Sequence, residues 1–357
     1  MYRFWKILTL PLLDAQKPKV VVEIGSQNGF NTRLLCHFCA KNNGVLHTID
    51  PEPKFEVSDI LKRHNGALYM YKDLSLNVLS FIHNIDVVLI DGDHNWYTMY
   101  HELKTLANQA KQDGRPLPMV LFHDASWPYA RRDLYYNPAT IPEEFRHEYA
   151  KRGLIPDEKG TSAYGYNDHL YNALFEGGKK NGVLTAVEDF ISESNENIHL
   201  RVIPAFHGYG ILVSESRLAL YPELQRTFSK LLLSETLLPL IESLEKYRIK
   251  EKIKVIFNLT QKDAKIAQKE TEITLMKLYS KKCYHDELYR VYTSHSWRYT
   301  APARKVGSFV RRILAIPYLP RIHTVIKVAY FMLPAFIRNR RLIENLKKRF
   351  KSKEVSC

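Results

Sequence analysis

The sequence predicts an α/β fold: a doubly wound, mostly parallel, seven-stranded sheet followed by a helical C-terminal region. Three observations carry this reading. Five short apolar runs rich in Val, Ile and Leu alternate with segments of helical periodicity, the pattern of βα units that build a parallel sheet. The runs are continuously apolar, as strands covered on both faces require. A late pair of runs, "IHLRVIPAFHGYGILVSES" (198–216), reads as two strands joined by a tight turn, which fits an antiparallel edge.

The elements follow in order. "KVVVEIG" (19–25) is a buried strand and "NTRLLCHFCAKN" a helix. "GVLHTID" (44–50) is the second strand, "VSDILKRHN" a helix, "ALYMYKD" (67–73) the third strand and "SLNVLSFI" a short helix. "DVVLIDGDH" (86–94) is a strand ending in acids, "WYTMYHELKTLANQAK" is helical, and "PMVLFHDAS" (118–126) is the fifth strand. Residues 127–198, rich in Tyr, Pro, Asn and Gly, read as irregular. After Arg217 the periodicity is helical with many charges and imperfect heptads, as in a helical hairpin or coiled coil. The expected organisation is a catalytic domain over 1–216, a helical region over 217–293 and a basic amphipathic tail over 294–357.

Charge is unevenly placed. Between Ala301 and Lys353 stand 14 Lys or Arg against one acid, Glu344, which is nearly all of the chain's net +14. Such a tail seeks an anionic partner, membrane or nucleic acid. Its longest apolar run, Ile322–Ile337, is interrupted by His323, Lys327 and Pro334 and is short for a span of about 20 residues, so it suits the membrane interface. "MYRFWKILTLPLLD" has no small-residue cleavage site and is not read as a signal peptide. Four cysteines make no disulfide framework, and Cys36 and Cys39, with no second pair nearby, read as structural or inert in a reducing cytoplasm.

The chemistry begins at "EIGSQNGFNTRLL" (23–35), a strand–glycine–helix junction. A dinucleotide fingerprint, G-x-G-x-x-G, would need glycine at Gln27, and a Walker loop would need Gly-Lys-Ser/Thr; neither is present. The pattern is Glu23-x-Gly25-x-x-x-Gly29, built for close approach of a ligand, with an acid suited to a positive group. Asp50 ends the second strand, where a carboxylate can accept both hydroxyls of a ribose. Nucleoside, cationic group and no phosphate together describe S-adenosylmethionine.

Residues 19–215 resemble a class I S-adenosylmethionine-dependent methyltransferase with a Rossmann-like fold. "VVEIGSQNGFNT" is similar to its first motif, "HTID" to its second, "DVVLIDGDHNWY" to the fourth-strand signature of a bacterial subgroup and "AFHGYGILV" to its terminal hairpin. The resemblance implies that Gly25 and Gly29 line the cofactor, Glu23 lies near its methionine end, Asp50 binds ribose, and Asp73 and Leu74 lie near adenine.

Methyl transfer needs an acceptor placed in line about 3 Å away, and a base if the acceptor is a hydroxyl. The carboxyl ends of the fourth and fifth strands supply Asp91, Asp93 and His94, and His123 and Asp124. Two mechanisms compete. In one, His94 or His123 is the general base beside Asp91. In the other, Asp91, Asp93 and Asp124 hold a divalent cation such as Mg that lowers the hydroxyl's pKa. In relatives of this fold that use a metal, an Asp-Asn or Glu-Asp pair commonly ends strand five, where this chain has His123-Asp124-Ala125. Trp127, Arg131, Arg132 and Tyr135 are the expected acceptor contacts, since aromatic faces stack on sugars and guanidinium forks match acids.

"SHSWRYTAPARKV" (294–306) is similar to a short motif, S-x-S-W-R-x-T-x-P-x-R, near the ends of bacterial glycan-assembly glycosyltransferases and associated methyltransferases. Ser294, Ser296, Trp297, Arg298, Thr300, Pro302 and Arg304 match it. It implies polysaccharide biosynthesis as the setting: an O-methyltransferase for a sugar hydroxyl of a cell-surface glycan or lipid-linked precursor. The expected location is the cytoplasm, peripheral on the inner membrane face, with the tail on anionic lipid. Glycan-assembly enzymes and a homo-oligomer are the other partners considered. The alternatives are a natural-product O-methyltransferase, a nucleic-acid-binding protein or RNA methyltransferase using the tail on phosphate, and a non-catalytic scaffold.

Overall fold

A computed structural model describes residues 1–61, 68–234 and 237–293. The expected tail over 294–357, its motif included, and most of the second half of the helix expected after residue 57 lie outside the described residues. The chain divides into two units, Met1–Asp263 and Ala264 onward.

The first unit is built on a seven-stranded sheet in the order β3-β2-β1-β4-β5-β10-β9. Its strands are β1 (Val20–Ile24), β2 (Val45–Ile49), β3 (Leu68–Tyr71), β4 (Val87–Ile90), β5 (Met119–His123), β9 (Ile198–Ile203) and β10 (Tyr209–Ser214). The first five pair in parallel, while β10 is antiparallel to both β5 and β9. The order reverses between β1 and β4, the switch point beside which ligands bind. The helices are α1 (Leu10–Gln16), α2 (Phe30–Lys41), α3 (Val57–Leu61), α4 (Ser75–Val78), α5 (Trp96–Gln112), α6 (Val183–Ser192), α7 (Glu215–Leu220), α8 (Pro222–Ser229) and α9 (Leu237–Thr293).

The continuous apolar runs are explained by two covered faces. Val21, Leu89 and Leu121 pack on one side with Leu12, Leu35 and Leu224 from α1, α2 and α8. Val22, Ile90 and Val120 pack on the other with Leu79, Met99 and Val187 from the segment after α4, from α5 and from α6. Each such side chain contributes about 1.5–3 kcal/mol by leaving water. Cys36 and Cys39 belong to the first of these cores; burial pushes their thiols up to about 11 and about 12. Helix α5 starts at Asn95, whose side chain accepts from the Thr98 amide at 2.8 Å and so satisfies an orphan donor of the first turn.

Two expectations are corrected. Residues 127–198 are not irregular: they hold α6 and a second, antiparallel sheet in the order β6-β8-β7, made of β6 (Leu134–Tyr135), β7 (Tyr149–Lys151) and β8 (Tyr171–Ala173). Strands of two or three residues are too short to show periodicity. Instead of a helical hairpin, the described residues from Glu215 onward form the short helices α7 and α8 and then the single helix α9. The N-terminal segment is helical from Tyr2 through Gln16.

In the second unit, residues 264–290 are helical with almost every side chain exposed. Among the described residues no helix is long and apolar enough to cross a membrane.

Candidate active site

The turn after β1 sets the geometry. Gly25 has φ +84°, and a β-carbon there would stand 2.2 Å from the Asp91 carbonyl oxygen. Only glycine lets this turn lie against the end of β4. Gln27, at the position where a dinucleotide fold has glycine, also takes a positive φ of 45°. Gly29 (φ +70°) caps α2, and a β-carbon on it would meet the Phe55 ring at 2.8 Å. Its neighbours Asn28 and Phe30 both line the cavity.

A cavity of about 740 Å³ opens at the carboxyl ends of the parallel strands, lined by Glu23, Gly25, Asp50, Asp73, Leu74, Asp91, Asp93, His94, His123 and Asp124 among others. Its lining carboxylates, which also include Glu52, face a single lysine, Lys54. This field suits a cation and repels pyrophosphate.

Each acid is differently held. Glu23 is 1% exposed and accepts from Asn31 Nδ2 at 3.0 Å and Thr48 Oγ1 at 3.3 Å. Burial outweighs these bonds and pushes its carboxyl up to about 7. Asp50 Oδ2 accepts from the Ser26 amide (2.7 Å), Ser26 Oγ (2.9 Å) and the Gln27 amide (2.8 Å), and Oδ1 from the Glu52 amide (2.8 Å). Asp50 therefore braces the glycine turn, a role the sequence reading missed. Asp73 Oδ1 accepts from the Leu74 amide and Asn77 Nδ2, which hold its carboxyl below the usual range.

The ends of β4 and β5 meet in a cluster. His123 Nδ1 lies 3.0 Å from Asp124 Oδ2 and 3.3 Å from Asp91 Oδ1. His94 Nδ1 lies 3.2 Å from the same Asp124 oxygen, and its ring stacks on Tyr129 at 5.9 Å. Asp91 Oδ2 also accepts from the Met1 nitrogen at 3.0 Å. Burial opposes charge on His123, but Asp91 and Asp124 overcome it and raise the imidazole's pKa. Burial likewise opposes charge on Asp124, yet His94 and His123 hold it far below the carboxylate range. Asp93 is elsewhere: its Oδ2 accepts from Thr98 Oγ1 at 3.1 Å at the start of α5, and burial raises its carboxyl.

Residues 22–125 match the family model of a methyltransferase domain. The chain carries an S-adenosylmethionine-dependent methyltransferase domain. No curated protein matches the sequence. Among solved structures, a methyltransferase of Podospora anserina with SAH bound is similar at 15% identity over 58% of this chain and 77% of its own, with a TM-score of 0.37. A methyltransferase of Geobacter sulfurreducens is 11% identical over 57% and 76%, TM-score 0.30. The 1,6-didemethyltoxoflavin N1-methyltransferase of Burkholderia thailandensis is 13% identical over 57% and 77%, TM-score 0.30. These likenesses are too distant to bear on the acceptor.

The expected cofactor residues Glu23, Asp73 and Leu74 all line the cavity, and Glu23 is a buried acid of the kind a cationic group would suit. A metal would find a different set from the one expected. Asp91, His123 and Asp124 each offer a ligand atom within 4.8 Å of the others, whereas Asp93 is not in this group. Two carboxylates and an imidazole fit a divalent ion.

The methyltransferase's acceptor side differs from expectation. Trp127, Arg131, Arg132 and Tyr135 do not line the cavity. Trp127 packs on Tyr166 with ring centroids 6.0 Å apart. Arg131 pairs with Glu188 on α6. Arg132 is 1% exposed, with Nη1 on the Ala173 carbonyl and Nη2 on those of Lys159 (2.7 Å) and Gly160 (3.3 Å). The Tyr135 hydroxyl donates to Asp133 Oδ2 at 2.9 Å. Asp133 in turn accepts from the Trp96 amide (2.8 Å) and the Gly182 amide (2.6 Å), tying the inserted sheet to the start of α5. The cavity is lined instead by Tyr129, Tyr136, Asn137, Thr140, Tyr166, Asn167 and His207. The aromatic composition of the insertion is plain in the sequence, but nothing in it says which rings face the cavity.

Proposed function

We propose that this methyltransferase transfers the methyl group to a hydroxyl of a sugar in a glycan or its lipid-linked precursor. The observation that carries the reading is the His94–Asp124 pair at the cavity, 3.2 Å apart, facing a wall of tyrosine and amide side chains. A hydroxyl needs a base that an amine acceptor does not. Tyrosine faces with Asn137, Thr140 and Asn167 suit a neutral, hydroxyl-rich ring, and among the cavity-lining residues near them there is no lysine or arginine.

When bound, S-adenosylmethionine supplies an electrophilic methyl carbon on a sulfonium. Glu23 holds the cationic end by its charge, and Asp50 keeps the glycine turn in shape. Asp124 stands beside His94 Nδ1 at 3.2 Å and steadies the ring by charge, which would leave Nε2 to take the proton of an acceptor hydroxyl when the cofactor's methyl group is transferred. His123 lies between Asp91 and Asp124, whose carboxylates favour its charged form, and so lessens their mutual repulsion.

A second reading uses a divalent ion on Asp91, His123 and Asp124, which would polarise the hydroxyl. The basic tail supports a membrane-adjacent acceptor, since each Lys or Arg near an anionic leaflet contributes about 1 kcal/mol. The test is to incubate the full chain with methyl-labelled cofactor and a membrane glycan fraction, hydrolyse, and separate the sugars. Label in O-methyl sugars supports the reading; label only in RNA, or only in a soluble phenol, overturns it.

A further inference from the structure

Outside the cavity, beside its acceptor end, three cations gather around two exposed or half-buried rings. The Arg3 guanidinium lies 5.2 Å from the Phe206 ring centroid and that of Arg248 lies 5.3 Å from the same centroid. Lys252 Nζ lies 4.7 Å from the centroid of Tyr166, which lines the cavity. Tyr166 OH and His207 Nε2, 3.0 Å apart, join this group to the acceptor wall.

The other cations on this stretch of α9 have carboxylate partners: Lys246 and Lys250 share Asp157, and Lys254 pairs with Glu251. Arg248 is held by Glu245, whose Oε1 also accepts from the His207 amide at 2.9 Å. Among the described residues Arg3 and Lys252 have no carboxylate partner within ion-pair distance. Partial burial, then Arg248 and Arg3, push the Lys252 ammonium below its ordinary value, so these charges feel one another. The wall of the cavity is neutral and its floor acidic, whereas this corner of its rim is cationic with donors to spare.

We infer that Arg3, Arg248 and Lys252 form an anion subsite for a phosphate or diphosphate ester attached to the acceptor. The inference rests on the sugar-hydroxyl reading above and adds that the sugar arrives as a phosphate ester. An ester bound there leaves its ring against Tyr166 and the interior tyrosines, because the subsite and the acceptor wall share that side chain. Phosphate is favoured over carboxylate because three cations on two neighbouring rings offer more donors than the two oxygens of one carboxylate would use.

The probe is inorganic pyrophosphate, titrated calorimetrically into the full chain loaded with S-adenosylhomocysteine. Binding is expected, and Arg3→Ala with Lys252→Ala weakens it about tenfold or more while cofactor affinity is unchanged. Arg3→Lys with Lys252→Arg, which keeps both charges, restores it. Equal pyrophosphate affinity in wild type and the double alanine variant, or no binding by the wild type, overturns the subsite. A second arm uses phosphatidylglycerol vesicles. If the alanine pair lowers vesicle binding and leaves pyrophosphate binding intact, the cations serve a lipid surface and the inference fails. Label in O-methyl sugars without pyrophosphate binding refutes the subsite alone, and pyrophosphate binding without such label refutes the sugar reading alone.

Discussion

Gly25 and Asp91 meet backbone to backbone: a β-carbon on Gly25 would stand 2.2 Å from the Asp91 carbonyl oxygen. This contact presses the cofactor-side turn against the strand end that carries the acid–imidazole cluster. Gly25→Ala combines a φ of +84° with a clash against main chain that cannot rotate away. A loss of about 2–5 kcal/mol is expected, together with loss of S-adenosylhomocysteine binding. Thermal melting and calorimetry check it; a variant that melts and binds like wild type would show that the contact is not required.

Glu23 is expected to make cofactor binding depend on pH. Burial lifts its native carboxyl from 4.5 to about 7, so between these values the native state holds a proton that the unfolded chain has lost. The unfolded state binds fewer protons there, and stability therefore falls as pH rises through that window, by about 3 kcal/mol in all. A cationic ligand favours the ionised form, so affinity for S-adenosylmethionine is expected to rise about tenfold from pH 6 to pH 8 with uptake of the ligand releasing a proton. Glu23→Gln removes both pH dependences and melts higher than wild type at pH 8. Calorimetry in two buffers of different ionisation enthalpy measures the proton.

Arg132 and Tyr136 are expected to separate structure from recognition. Arg132→Ala strips three main-chain carbonyls of their donor inside the insertion, so a loss of about 2–4 kcal/mol should appear in melting. Tyr136 lines the cavity and is 53% exposed, so Tyr136→Ala is expected to raise the acceptor KM several-fold with little change in Tm. Reversed outcomes would move the acceptor to the Arg132 side of the insertion.

The sheet was legible because burial on both faces leaves a continuous apolar run, and "VVVEI" and "VVLI" could be little else. The acids at strand ends were legible for the same reason: Asp50, Asp91 and Asp124 stop those runs where the switch-point crevice must lie. The acceptor wall was not. Arg132 looks like a ligand fork in the sequence, yet its guanidinium is spent on carbonyls of an insertion whose strands are too short to show a period. Tyr135 and Tyr136 are neighbours with opposite fates, one hydrogen-bonded to buried Asp133 and one facing the cavity, and alternation in a two-residue strand gives no register to tell them apart. His123 replaced Asp93 in the candidate metal set because Asp93 turns to Thr98 at the start of α5.

Removing divalent ions discriminates between the two chemistries. With His94 as base, EDTA is expected to leave the transfer rate unchanged, and Asp124→Asn to lower kcat by about 10²–10⁴ through loss of the ring's orientation. Restoration of an EDTA-sensitive rate by Mg would favour the ion on Asp91, His123 and Asp124.

The most direct measurement is the rate of methyl transfer to the glycan fraction by wild type and His94→Ala, followed across pH in the presence of EDTA. The expected result is label in O-methyl sugar with a rate that rises with pH in the wild type, and a rate lower by about 10²–10⁴ in His94→Ala that regains speed at alkaline pH, where the acceptor supplies more alkoxide. A His94→Ala enzyme that transfers methyl at the wild-type rate would contradict the assignment of the base, and with it the hydroxyl acceptor.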